Sequence, residues 1–557
     1  MRIYWGVGLA TILVIGAALR LHGIHDPMLD HPGWRQGDTA AIARNFAQLR
    51  FNIMYPQTMY NGPSPNYVEL ELQIVPFLAA LLYKVFGIHP IAGRIITVAF
   101  SLGTVATLAY FARWLFGSVL AGLGAAFFYA VFPGSVYYGR TFMPDGAMTF
   151  FLTAALYAVA LYYFGNSRRP RTSLTFATTL LTLAYLAKPV AVIAVVPLLG
   201  MSVERARAKR GLPLVATTVL LAIPLIVLAL YDRRVASYAE WHWASGITRL
   251  HVLPALRASL TTGAAFAAKL ESFRVVLGML RDTMLGRISL ALGVLGFIAL
   301  PWIRARTKAL LWWWLAGGLL YAYVVVTVER VDYYLYPLLP LAALVIGGLI
   351  GQFAASVRRA DVAPPARLAL FAIVPIVALA ALAWTRAPIA AYYRYNGDAY
   401  RNAVAIDAAL PRVALIVMAH YGPDVQYYID RFGWQEDPRL WTPFDEESAI
   451  RKGARYFVSI EDKRMHSNVE LCAWLQRFPL LRYSGAWPIY VTDPALVSPR
   501  ADRFWHEFRS AERAGSARAF LDANGVCRLR TAAYSALRVR SSDSKASGLT
   551  AMLPRNG

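Results

Sequence analysis

The sequence predicts a polytopic α-helical membrane protein with a small α/β domain outside the membrane after the last span. Three observations carry this reading. Of 557 residues, 57% are hydrophobic and 16% charged, with a mean hydropathy of +0.44, more apolar surface than one soluble core could bury. The apolar residues are gathered into runs long enough to cross about 30 Å of hydrocarbon. Beyond residue 386 these runs stop, and short strand-like and helical stretches alternate.

The first run, 4–21, follows Arg2 and has the look of a signal peptide; with many spans behind it, an uncleaved first transmembrane helix is expected. Further runs lie at 91–112, 118–135, 146–165, 212–231, 285–303, 309–328, 334–354 and 367–385. Basic clusters separate them: Arg113; Arg168, Arg169 and Arg171; Arg205, Arg207, Lys209 and Arg210; Arg304, Arg306 and Lys308; Arg358, Arg359 and Arg367. Placing each cluster in the cytoplasm sets the topology. The segment 173–203 has basic clusters on both sides and must cross twice, with Lys188-Pro189 at the turn. Each arm then spans only about 22 Å at 1.5 Å per residue, which submerges Lys188 near the outer face, where an unpaired ammonium is costly.

Leu70–Phe86 is apolar but short, carries Glu69, Glu71 and Lys84 at its ends, and would invert every later loop if it crossed. It is expected as a juxtamembrane helix on the outer surface. The count is then about eleven spans, with the N-terminus inside. Residues 22–89, 135–145 and 232–281 face outward, together with everything after Arg386.

The domains expected are 1–385, a membrane part; 386–530, an outer α/β domain; and 531–557, a Ser-, Ala- and Arg-rich disordered tail. In the outer domain 413–418, 455–460 and 488–492 read as strands, and 424–431 and 469–477 as helices. Cys472 and Cys527 both lie there and form either one disulfide, if the domain is exported, or two free thiols. A formal charge of +24 dispersed in short clusters suits anionic lipid head groups and the positive-inside rule, and argues against a nucleic-acid partner.

Four polar clusters fall on the outer side. The first runs from His31 through Trp34, Arg35 and Asp38 to Asn45, with Asp38 placed as an N-cap, as a functional carboxylate, or as both. The second brings Glu69 and Glu71 to the start of the surface helix; two residues apart, they point to different faces, so one aims inward. The third, Tyr137 to Asp145, sets Arg140 and Asp145 at the membrane surface, where an aromatic belt with a snorkelling Arg and a capping Asp is the plainer explanation. The fourth, Glu329 to Pro340, opens a late span with Arg330, Tyr333 and Tyr334. One shared side argues for more than four separate belts: a phosphate at that depth needs cations such as Arg140, Lys188 and Arg330, and a hydroxyl acceptor needs a carboxylate base.

Taken in order, Asp38, then Glu69 or Glu71 before a short surface helix, Pro144-Asp145, Lys188-Pro189 and the Tyr333–Pro340 stretch resemble the GT-C superfamily of polyprenyl-phosphate-dependent glycosyltransferases. The likeness is strongest to bacterial lipid A aminoarabinose transferases and protein O-mannosyltransferases, and covers about residues 1–385. The resemblance implies a catalytic centre of Asp38, Asp145, Glu69 and Glu71, with Asp38 as base and the others facing acceptor, sugar or metal. It implies that Lys188, Arg330 and Tyr334 hold the donor phosphate, where Tyr333 and Arg140 also fall. One departure matters: Gly37-Asp38-Thr39 stands where the aminoarabinose enzymes carry an Asp-Glu pair, so neither that sugar nor a divalent metal follows.

The expected function is therefore sugar transfer from an undecaprenyl-phosphate-type donor to a lipid A, glycan or protein acceptor, on the periplasmic face of a bacterial inner membrane, with inversion. A transporter or flippase is the alternative, and would place ionisable residues and broken helices near the bilayer midplane. A receptor or scaffold would have no use for Asp38, Asp145, Lys188 and Arg330 together.

Overall fold

The computed structural model describes residues 2–165, 169–208, 213–240, 246–361, 363–420, 422–460, 465, 467–481 and 487–527. The expected tail, 531–557, lies outside the described residues, as do Arg168, Lys209 and Arg210. The chain divides into two compact units: residues 1–59, 64–401 and 422–428 form the first, and 60–63, 402–421 and 429–557 the second.

The first unit is helical. Its leading elements are α1 (Arg2–Arg20), α2 (Gly33–Gln48), α3 (Ile74–Phe86), α4 (Ile91–Phe116), α5 (Val119–Val131), α6 (Pro133–Tyr138), α7 (Asp145–Phe164), α8 (Pro170–Ala187), α9 (Val195–Arg207) and α10 (Leu214–Ala236). Among the described residues eight helices are long and apolar enough to cross a membrane, or nine with one bent pair. Two of the eleven expected spans fall short of that test. α5 stops after 13 residues, about 20 Å, because Pro133 follows and starts α6. α8 is diluted by Arg171 and its threonines. The run 285–303 belongs to the bent pair: Gly263–Met284 and Arg287–Ala299 meet at 115°, with Gly286 at φ +77° in the corner. The stretch 232–281, expected as an outer loop, is largely helical among its described residues, with Leu253–Thr261 and Gly263–Met279 inside it.

Small residues set how closely the helices approach, as expected where lipid removes the hydrophobic drive between them. A β-carbon on Gly347, in the helix Leu339–Arg359, would lie 2.4 Å from the carbonyl oxygen of Ala121 and 2.8 Å from the Ala125 side chain. A polar tie closes the end of α1. Arg20, fully buried, donates to Ser101 Oγ at 2.8 Å, Ala130 O at 2.9 Å and Ser135 Oγ at 2.7 Å, joining α1 to α4, α5 and α6.

The second unit holds a five-stranded sheet of order β2-β1-β3-β5-β4, from β1 (Leu415–Ala419), β2 (Gly433–Gln435), β3 (Ala454–Ser459), β4 (Leu480–Leu481) and β5 (Ile489–Val491). β1 runs parallel to β2 and β3, whereas β5 is antiparallel to β3 and β4. Gly433, at φ +150°, has no room for a side chain: a β-carbon would sit 1.8 Å from Ile416 O. Cys472 and Cys527 form a disulfide, which resolves the choice the sequence left open.

Candidate functional site

Helix α2 carries the first part of the site, and it is polar yet buried: Arg35, Gln36, Asp38, Thr39, Arg44 and Asn45 all lie inside the protein. It starts at Gly33 behind Pro32, so Asp38 sits in its second turn. The capping role is thereby corrected; no helix begins at Asp38. Three residues apart on one helix face, Arg35 Nη1 donates to Asp38 Oδ2 at 3.2 Å. Its Nη2 donates to Glu71 Oε1. Burial disfavours the Arg35 charge, but the carboxylates of Glu71 and Asp38 outweigh it and hold the guanidinium above the ordinary arginine range.

The second part is built at the break between α8 and the 3₁₀ segment Pro189–Ala194. Proline keeps the preceding residue out of the helical region, and Lys188 is extended at φ −163°, ψ 122°. Its Nζ donates to Asp145 Oδ1 at 2.7 Å and lies 4.9 Å and 5.0 Å from the ring centres of Tyr333 and Tyr334. Those two rings stack on each other. Asp145 opens α7 and is 1% exposed; its Oδ2 has no hydrogen-bond partner among the described residues. Arg35 lies within electrostatic reach of Asp145 and Tyr333, so the two parts form one centre with two cations, three carboxylates and two phenol rings.

Other expected residues sit elsewhere. Arg140 is fully buried and pairs with Asp30 Oδ2, while Arg94 Nη2 holds Asp30 Oδ1 at 2.9 Å. Two guanidiniums thus share one carboxylate. The excess charge is taken up by Gly23 O, at 2.8 Å from Arg140 Nη1, and by the rings of Tyr137 and Tyr393. Arg140 is accordingly an internal tie and presents no cation to a ligand. Arg330, left-handed at φ +51°, donates to Ser272 Oγ at 2.9 Å. Glu69 takes its electrostatic neighbour from Asp232, so of the two glutamates Glu71 is the one that faces the centre.

Arg35, Asp30 and Asp332 carried no role in the sequence reading. Arg35 was legible in principle, three residues before Asp38, had the helix been started at Gly33. Asp332 is held by three hydroxyls, Tyr138 at 2.5 Å, Tyr392 at 2.6 Å and Thr283 at 3.0 Å, and thereby fixes the start of the Tyr333-Tyr334 pair; nothing local announces that. Arg35 engages Asp38 and Glu71, Lys188 engages Asp145, and no group of three or more metal-ligating side chains occurs among the described residues.

Residues 73–231 match the family model described as dolichyl-phosphate-mannose-protein mannosyltransferase. A comparison with curated proteins finds no match. Among solved structures, ArnT from Cupriavidus metallidurans bound to undecaprenyl phosphate aligns with a TM-score of 0.58 at 13% identity, over 88% of this chain and 99% of that one. Archaeal oligosaccharyltransferase AglB from Archaeoglobus fulgidus, in complex with an inhibitory peptide and a dolichol-phosphate, aligns at 0.56 and 12% identity over 89% and 75%. The chain shares its fold with these two proteins, in keeping with the resemblance read from the sequence.

Proposed function

We propose that this protein transfers a sugar from a polyprenyl-phosphate donor of the undecaprenyl type to a lipid A, glycan or protein acceptor, on the periplasmic face of a bacterial inner membrane. The observation that carries the reading is the single buried centre in which Asp38, Arg35 and Glu71 meet Asp145, Lys188, Tyr333 and Tyr334, within a fold shared with proteins solved with polyprenyl phosphates. The acceptor hydroxyl attacks the anomeric carbon as the bond to the phosphate oxygen breaks, with inversion. Asp38 takes the hydroxyl proton. The departing polyprenyl phosphate is a weak base and needs charge stabilisation rather than an acid, which Lys188 and Arg35 supply.

The mid-helix position of Asp38 makes the test clean, because Asp38→Asn removes no cap. We expect the purified variant to bind undecaprenyl phosphate as the wild type does, while transfer from extracted polyprenyl-phosphate sugars falls by about 10²- to 10⁴-fold. Transfer within a few-fold of wild type would remove Asp38 from the mechanism and leave Asp145 as the base.

A further inference from the structure

One short stretch from the C-terminal third of the chain, residues 422–428, groups with the helical unit although the residues on both sides of it belong to the other unit. We infer that this stretch is a positioning brace for α2, holding the helix so that Asp38 keeps its place in the centre; the inference rests on the proposed role of Asp38.

The brace lies along one side of α2. Gly33 and Gly37, four residues apart, share a helix face, and both are filled from outside by Asp424. A β-carbon on Gly37 would lie 2.3 Å from Asp424 Cα and 2.6 Å from its backbone nitrogen; one on Gly33 would lie 2.6 Å from Asp424 Oδ2. Two turns further along, Arg44 Nη1 donates to Tyr427 O at 3.0 Å and its guanidinium stands 4.3 Å over the Tyr427 ring. The flanks of the helix are pinned as well: the Met28 amide donates to Tyr428 Oη at 2.8 Å, and Gln426 Nε2 to Met59 O at 2.9 Å. Gln426 is fully buried and Tyr427 nearly so.

At 100° per residue, Gly33, Gly37 and Arg44 fall within about 40° of one another, whereas Arg35 and Asp38 point well away from them. The brace therefore grips the back of the helix and leaves the acid on its working side. A rigid backing of this kind weighs on rate more than on donor affinity, since of the groups given to the phosphate only Arg35 rides on α2, while Lys188, Asp145 and the tyrosine pair sit on other elements. A displacement near 1 Å at a reacting group costs on the order of 10²-fold, and a β-carbon 2.3 Å from backbone forces a shift of about that size.

Two glycine substitutions separate brace from bulk. Gly37→Ala meets backbone and should lower transfer by about 10²-fold, keep undecaprenyl phosphate binding within a few-fold, and speed hydrogen exchange of the α2 amides in the full-length protein. Gly33→Ala meets only a side-chain oxygen, so its smaller loss should be restored by Asp424→Ala in the same chain. Wild-type α2 exchange in Gly37→Ala would overturn the brace, whatever the activity. Should Asp38→Asn prove active, the proposed base fails while the exchange measurement still decides the brace. If Gly37→Ala does not fold, Gln426→Ala takes its place: faster α2 exchange supports the brace and unchanged exchange sinks it.

Discussion

Lys188 shows how a costly residue is kept at the membrane. Its ammonium has one carboxylate partner and two aromatic faces, so an arriving phosphate can replace Asp145 without moving the rings. A hydrogen bond between charged groups contributes about 1.5–3 kcal/mol, roughly 10- to 100-fold in affinity. Lys188→Ala should weaken undecaprenyl phosphate binding by that factor in a lipid-binding assay, and unchanged affinity would return Lys188 to a structural role as the partner of Asp145. Glu446 poses the opposite case. It is 1% exposed, and neither carboxylate oxygen has a hydrogen-bond partner among the described residues; burial, reinforced by Asp445, raises its pKa well above the ordinary 4.5. A raised acid pKa makes the folded state hold a proton that the unfolded state releases, so the stability loss builds as pH climbs past about 4.5 and is absent below it. Glu446→Gln should therefore slow hydrogen exchange of β3 at pH 7 to 8 and leave it unchanged near pH 4. At this scale the sequence revealed residue types but not partners. Lys188, Asp145, Tyr333 and Tyr334 were legible together because submerged charge and a shared face constrain them. The partner of Arg140 was not legible, because its carboxylate, Asp30, is 110 positions away and chosen by tertiary packing.

Among elements, α5 fits closely against Leu339–Arg359. Alanine at Gly347 brings a methyl group against the Ala121 carbonyl, and overpacking of this kind costs about 1–3 kcal/mol. Gly347→Ala should lower the unfolding midpoint of the purified protein in detergent while leaving β3 exchange unaltered; an unchanged midpoint would show that the two helices separate without cost. Strand positions were read within a few residues, since 413–418, 455–460 and 488–492 are short apolar runs rich in Val, Ile, Phe and Tyr; they became β1, β3 and β5. Boundaries governed by a single proline or glycine were harder. Pro133 cut the expected span 118–135, and Gly286 turned the run 285–303 into one arm of a bent pair. The helical content of 232–281 was missed because its polar spacing was read as loop composition, while packing against Tyr323, where Lys269 Nζ donates to the carbonyl at 2.8 Å, supports it.

For the whole molecule, Arg113 closes α4, Arg205 and Arg207 close α9, and Arg358 and Arg359 close Leu339–Arg359. The positive-inside rule predicts that these ends face the cytoplasm. A reporter fused after residue 90 should then mark the outer side and one near Arg169 the inner side; a cytoplasmic signal after residue 90 would reverse every later loop. The shared carboxylate of Asp30 adds a constraint on how such a molecule is made. Synthesis runs from the N-terminus, so Asp30 and Arg94 exist well before Arg140 emerges with the turn ahead of α7. Until then Asp30 has one of its two guanidinium partners. The centre is complete only once Lys188, Tyr333, Tyr334 and residues 422–428 have also been made, so the order of synthesis leaves α2 waiting for partners from the last third of the chain.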